Sequence, residues 1–244
     1  MGLCASLERP GEASSPIDRL GLTIVCHSEK LRLKRALSGS FFDILVDMET
    51  EIEAKWLRID HPTFRDTLMS AGAELVSPER KMVRRVFDYP DKRLSKVGGW
   101  VRVRDEGGII TLSYKQVNDR TLHGTQEVTV TVTDFEATCA FLGAIGLKSK
   151  AFQETTRESW KLGSVEIELD TWPWIPSFVE IEAKDSKLLY AAAKKLGLDR
   201  NKALHGSVET AYQDIYDVTE EEIDNWDEIK FSEVPDWLVS KRRN

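Results

Sequence analysis

The chain has 244 residues and a formal net charge of −7, enough length for one substantial domain and too acidic for a nucleic-acid binder held by a general basic field. Charges of both signs are abundant and no apolar run approaches the ~20 residues of a membrane-spanning helix, so a globular protein with no nucleic-acid or membrane partner is expected. Cys4, Cys26 and Cys139 are too few and too scattered for a disulfide framework, which points to a reducing, cytoplasmic setting, and the dispersed histidines leave oxygen as the only plausible ligand for a metal.

Residues 1–47 read as a poorly structured extension. The opening stretch is rich in Gly, Pro and Ser and lacks an apolar core of signal-peptide length. Met-Gly followed by Ser6, with Cys4 nearby, formally fits an N-terminal acylation signal, but an unmodified tail is the plainer reading. The functional domain is expected over 48–216 and to work without 1–47, with an acidic helix and tail over 217–244.

From Met48 onward, eight segments alternate apolar and polar residues at period two, the mark of short strands: 51–58, 82–88, 99–105, 109–116, 126–132, 153–161, 164–170 and 177–183. Asp105-Glu106-Gly107-Gly108 and Leu162-Gly163 read as hairpin turns, so neighbouring strands should be antiparallel. Between the strands, helices are predicted after Asp60 up to Gly72, after a Thr133/Glu136 capping box up to Gly146, and from Asp185 to Gly197. Beyond residue 200 the apolar stripe of Val208, Ala211, Tyr212 and Ile215 is helical again, followed by an acidic helix opened by Thr219 and Glu222.

The polar faces of these strands carry segregated charge. Glu51, Glu53 and Lys55 share one face; Arg102 and Arg104 share another; Lys115 stands with Thr111 and Ser113, Arg157 with Thr155 and Ser159. Glu166, Glu168 and Asp170 line up, as do Glu180 and Glu182. Same-sign residues two apart on a strand sit about 6.8 Å from each other and repel unless neutralised, whereas a solvated face normally interleaves signs. If the strands close into a barrel, the apolar face packs outward under the helices and the charged face becomes a lumen. Such a lumen needs water, counter-ions or a charged ligand. Acid clusters suit Mg²⁺ or Mn²⁺, and Arg and Lys suit phosphate. The word EIEAK occurs twice, at 51–55 and 180–184, and two such strands facing each other across a barrel would form one metal site.

These residues resemble the CYTH family, the triphosphate tunnel metalloenzymes, whose hallmark is Glu-x-Glu-x-Lys on the first strand. The likeness covers about 48–215 and continues in order through Arg102-Val103-Arg104, Lys115, Arg157 and Glu180-Ile181-Glu182. It departs at Thr155, where the family often has a basic residue, and at the late C-terminal basic residue, for which Lys202 is the nearest candidate. The resemblance implies an α+β fold with an eight-stranded antiparallel β-barrel, helices packed on its outside, and dependence on Mg²⁺ or Mn²⁺. In that scheme Lys55, Arg102, Arg104, Lys115 and Arg157 hold phosphates; Glu51, Glu53, Asp170, Glu180 and Glu182 hold metal, with Glu168 in support; Glu53 and Lys55 are the catalytic candidates. The expected substrate is a small triphosphate such as tripolyphosphate, thiamine triphosphate or ATP, which would be hydrolysed. Conversion of ATP to cyclic AMP, as by a class IV adenylyl cyclase, and non-catalytic polyphosphate binding are the alternatives.

Overall fold

The computed structural model describes residues 48–243, so the N-terminal extension and its acylation-like signal lie outside the described residues. The first alternating segment forms β1 (Glu49–Glu51) and β2 (Glu53–Leu57), one extended stretch broken at Ile52. It is followed by β3 (Glu74–Asp88), β4 (Gly99–Asp105), β5 (Ile110–Val117), β6 (Thr125–Val132), β7 (Lys148–Leu162), β8 (Val165–Thr171) and β9 (Phe178–Glu182). The hydrogen-bonded order is β1-β6-β5-β4-β3-β7-β8-β9-β2, antiparallel at every step. Both ends of that path belong to the stretch broken at Ile52, so the chain itself joins the two edges. With β1 and β2 counted as one strand, eight antiparallel strands surround a lumen. Leu204 covers the outer edge of β2 by exchanging both backbone hydrogen bonds with Lys55, each 2.9 Å.

β3 and β7 run further than the alternation showed, β7 starting at Lys148 rather than at the predicted 153. β3 starts eight residues before the predicted 82, because Glu74–Lys81 contains Pro78 and its register on β7 shifts at Leu75/Ser77 and Ser77/Arg80, which destroys the period-two signal. The β4–β5 turn forms as predicted: Gly107 and Gly108 have φ of 84° and 137°, and Asp105 Oδ1 accepts from both amides.

Helices pack on the outward apolar face. Asp60 caps α1 (His61–Ser70) and Asp185 caps α3 (Ser186–Lys195). Phe64 and Leu68 of α1 and Leu189, Ala192 and Ala193 of α3 bury against Ala54, Trp56, Ile167, Val179 and Ile181 of the wall. α2 (Phe135–Ala144) sits over Phe87 and Val103 through Leu142 and is capped by Asp134, not by the predicted Thr133. A third cluster joins Trp172 and Phe178 to α4 (Glu209–Ile215) and to the C-terminal stretch. That stretch, read from sequence as an acidic helix and tail, keeps Glu220, Glu221, Arg242 and Arg243 exposed but packs its apolar side chains. After α5 (Glu220–Asp224), with the predicted Thr219/Glu222 capping box, the two-residue β10 (Glu228–Ile229) pairs in parallel with β7. Ile223, Trp226, Ile229 and, from α6 (Asp236–Val239), Leu238 are all buried.

Candidate active site

The lumen encloses a cavity of about 510 Å³, and the residues singled out by charge segregation meet in it: Glu51, Glu53, Lys55, Arg102, Arg104, Lys115, Arg157, Asp170, Glu180 and Glu182. Alternation puts most of them there: Glu51, Glu53 and Lys55, Arg102 and Arg104, and Glu180 and Glu182 follow one another at two-residue steps, with Ile52, Ala54, Val103 and Ile181 between them packed outward. The two EIEAK words face each other as neighbours, not across the barrel as expected. β2 and β9 are adjacent, with Glu53 opposite Glu182 and Lys55 opposite Glu180. Lys184 of the second word is exposed beyond the end of β9, and Lys202 is exposed in a short 3-10 turn away from the cavity.

Each cation of this set is held by carboxylates. Lys55 Nζ donates to Glu53 Oε1 (2.8 Å) and to the Gly206 carbonyl (2.8 Å), and lies 3.2 Å from Glu180. Burial alone would depress its pKa, but Glu180 and Glu53 overcome this and hold it above the usual lysine value, so Lys55 stays charged. Lys115 bridges Glu51 (2.6 Å) and Glu127 (3.4 Å), and Arg102 donates to Glu127 at 2.9 Å. Arg157 grips Asp170 with both Nε (2.8 Å) and Nη2 (2.6 Å). Both oxygens of Asp170 are thus engaged, which sets it apart from the other proposed metal ligands. Burial and the neighbouring Arg102 bring the Arg104 guanidinium down to about 10, and Arg104 Nε donates to Glu106 at 2.8 Å.

The acids divide accordingly. Burial raises Glu51 well above the carboxylate range, while at its neighbour Glu127 the same burial is outweighed by Arg102 and Lys115, which keep it ionised. Burial, reinforced by Glu53 and Glu180, pushes Glu182 up to about 7. Glu168 also rises to about 7 through burial, against the pull of Arg157 and a hydrogen bond from Ser159.

Several lumen residues escaped the sequence reading. Glu127 was a lone acid in a Thr/Val strand, and Arg84 sat within the basic run Arg80, Lys81, Arg84, Arg85, whose alternation did not say which side faces in. Arg84 Nη2 donates to Thr155 Oγ1 at 2.8 Å, so a guanidinium from the adjacent strand reaches the place where a basic residue was missing. Glu209, at the cavity's end, was also missed; its Oε2 is buried without a partner.

The acidic wall offers only oxygen donors, which suits a hard divalent cation. Among the described residues no cation pairs with Glu182, whose carboxylate stands opposite Glu53 and near Glu180, a local excess of negative charge that a divalent ion would relieve. No three acidic, histidine or cysteine side chains converge on one point among the described residues, so these carboxylates do not form a closed metal cage.

The lumen is an antiparallel tunnel whose wall carries carboxylates and cations side by side. The chain matches the CYTH domain profile over residues 49–216 and belongs to the CYTH family. Its fold is shared by the PH1012 protein of Pyrococcus horikoshii OT3, 22% identical with a TM-score of 0.56, covering 66% of this chain and 98% of that one. A conserved hypothetical protein of Pyrococcus furiosus is 25% identical with a TM-score of 0.56, covering 66% and 99%. A Vibrio parahaemolyticus protein named provisionally as an adenylate cyclase is 17% identical with a TM-score of 0.60, covering 68% and 98%. No curated protein matches the chain.

Proposed function

We propose that the chain is a divalent-metal-dependent enzyme that hydrolyses inorganic tripolyphosphate or a small organic triphosphate, such as thiamine triphosphate or ATP, inside its tunnel. The observation that carries this reading is the gathering of Lys55, Arg102, Arg104, Lys115 and Arg157 with four glutamates around one enclosed cavity of about 510 Å³. Phosphoryl transfer asks a protein mainly for positioning and charge neutralisation. The arginine forks match phosphate oxygens, and a bound triphosphate would take over cations that glutamates now hold. In the hydrolytic step a water oxygen bonds to the terminal phosphorus and the bridging P–O bond breaks. The electron pair leaves with the diphosphate, and the water's proton passes to a carboxylate of the acidic wall, for which Glu53 is the candidate. Lys55, held protonated between Glu53 and Glu180, neutralises charge and does not take up the proton. Glu51, Glu53, Glu180 and Glu182 would hold Mg²⁺ or Mn²⁺, which would neutralise charge developing on the phosphate oxygens.

The test is to incubate the protein with tripolyphosphate, thiamine triphosphate and ATP, with Mg²⁺ or Mn²⁺ and with chelator, while following free phosphate and cyclic AMP. Phosphate release that is lost in chelator and in Glu53→Gln is expected. Undiminished turnover under either condition overturns the scheme. Cyclic AMP with pyrophosphate would reassign the tunnel to cyclisation, and tight binding without turnover would make it a binding module.

A further inference from the structure

The cations that line the tunnel are not equivalent. Lys55, Arg102, Arg104, Lys115 and Arg157 each lie within ion-pair distance of a carboxylate, and at the rim Arg120 pairs with Glu220 and Lys150 with Asp224. Arg84 is the exception: among the described residues no carboxylate reaches it. It is 5% exposed, its Nη2 donates to Thr155, and its Nε is buried with no partner. Its guanidinium lies 4.6 Å from the ring centroid of Trp172, which fixes the plane of the fork. Its backbone position is directly opposite Arg104, a like-charge cross-strand pair that weakens the sheet. Burial and the charges of Arg104, Arg102 and Arg157 push its pKa well below the usual arginine value.

A buried guanidinium without a counter-charge destabilises a fold, and a neutral side chain would serve the ladder as well. The missing anion therefore has to come from the ligand. We propose that Arg84 forms an anion subsite for one phosphoryl group of the substrate, with Thr155 and Trp172 holding its fork in place. The other lumen cations already share their charge with a protein carboxylate when phosphate arrives, whereas Arg84 gives up nothing ionic. Its contact with the ligand thus contributes net affinity while its presence weakens the empty tunnel.

This inference rests on the triphosphate reading, and two measurements on the whole chain separate them. In chelator, tripolyphosphate binding is measured by calorimetry for the wild type, Arg84→Met and Arg84→Lys, and each ligand-free protein is melted. Arg84→Met is expected to melt above the wild type and to bind tripolyphosphate about ten to a hundred times more weakly. Arg84→Lys, which keeps the charge and loses the fork, should fall between them in affinity. Wild-type affinity in both variants overturns the subsite while leaving the triphosphate reading intact. A melting temperature of Arg84→Met below the wild type, with unchanged affinity, would make Arg84 a structural residue. Failure of the wild type to bind tripolyphosphate overturns both.

Discussion

Lys55 is 3% exposed, and its ammonium is the only cation within 4 Å of Glu53 among the described residues. Replacing it by Met would leave Glu53 with no cation within 4 Å among the described residues and Glu180 with only the Arg157 guanidinium, at 3.8 Å, so Lys55→Met should lose about 3–5 kcal/mol in urea unfolding, beyond any loss of activity. Arg102→Ala removes a guanidinium that faces the cavity and should lower kcat/KM for tripolyphosphate about a hundredfold, measured as phosphate release. Asp88 illustrates a residue with a purely architectural charge. Its carboxylate accepts from the amides of Tyr89, Leu94 and Ser95 and from the Ser95 hydroxyl, and these bonds outweigh burial and lower its pKa below the ordinary 3.8. The stability it contributes is therefore fully present above the unfolded value near 3.8 and is lost as pH falls through the lower folded value. Asp88→Asn should flatten that part of the acid-unfolding curve while costing stability at pH 7. Glu51 and Glu53, Arg102 and Arg104, and Glu180 and Glu182 stood out as same-sign pairs two apart on a strand, whereas the roles given to Lys115 and Arg157 came from the family resemblance. Arg84 and Glu127 were not legible, because nothing local marks an isolated charge as inward-facing.

Three helices, α1, α2 and α3, owe their starts to single carboxylates, Asp60, Asp134 and Asp185. Asp185 accepts from the Leu188 amide at 2.9 Å and launches α3, whose Leu189, Ala192 and Ala193 cover the wall. Asp185→Ala should cost about 1 kcal/mol in denaturant unfolding and leave tripolyphosphate affinity unchanged, because α3 touches the outer face only. The predicted Thr133 cap lost to Asp134, which accepts from Ala137 at 2.7 Å, while Thr219 and Glu222 form the box their spacing suggested. Spacing identifies a helix start to within a residue, and the competition between adjacent capping side chains decides the rest. Strand extents followed the same logic. Where alternation was clean, as in β4 and β5, the boundaries came within a residue; the bulged, Pro-containing start of β3 showed no period to read.

For the molecule as a whole, the C-terminal stretch was the part the sequence concealed most. Its acidic surface suggested solvent, yet Ile223, Trp226, Ile229 and Leu238 complete the cluster that holds Trp172 and α4 at the end of the cavity. Ending the chain at Asp217 should destabilise it by at least about 4 kcal/mol, given about 1.5–3 kcal/mol for each large apolar side chain buried. A urea titration of the shortened chain checks this. Saturating tripolyphosphate should raise the melting temperature, with a stabilisation of about 2.7 kcal/mol at a ligand concentration a hundred times Kd, and the effect should shrink as salt is added.

Most of this wall is knitted strand to strand, but around Ile52 the ladder changes partner: Glu51 is laddered to β6 and Glu53 to β9, and the Ile52 carbonyl accepts from the Ala183 amide at 3.1 Å, so the unlaced line runs between Ile52 and β6. A cylinder stitched everywhere except along one line flexes along that line. Widening to admit a bulky substrate would then run down the Ile52 seam, and amide exchange at 50–54 should outpace exchange in the middle of β4 and β8. The two glutamates of the first motif would stand on opposite lips of that opening, so whatever binds both would also cinch it shut.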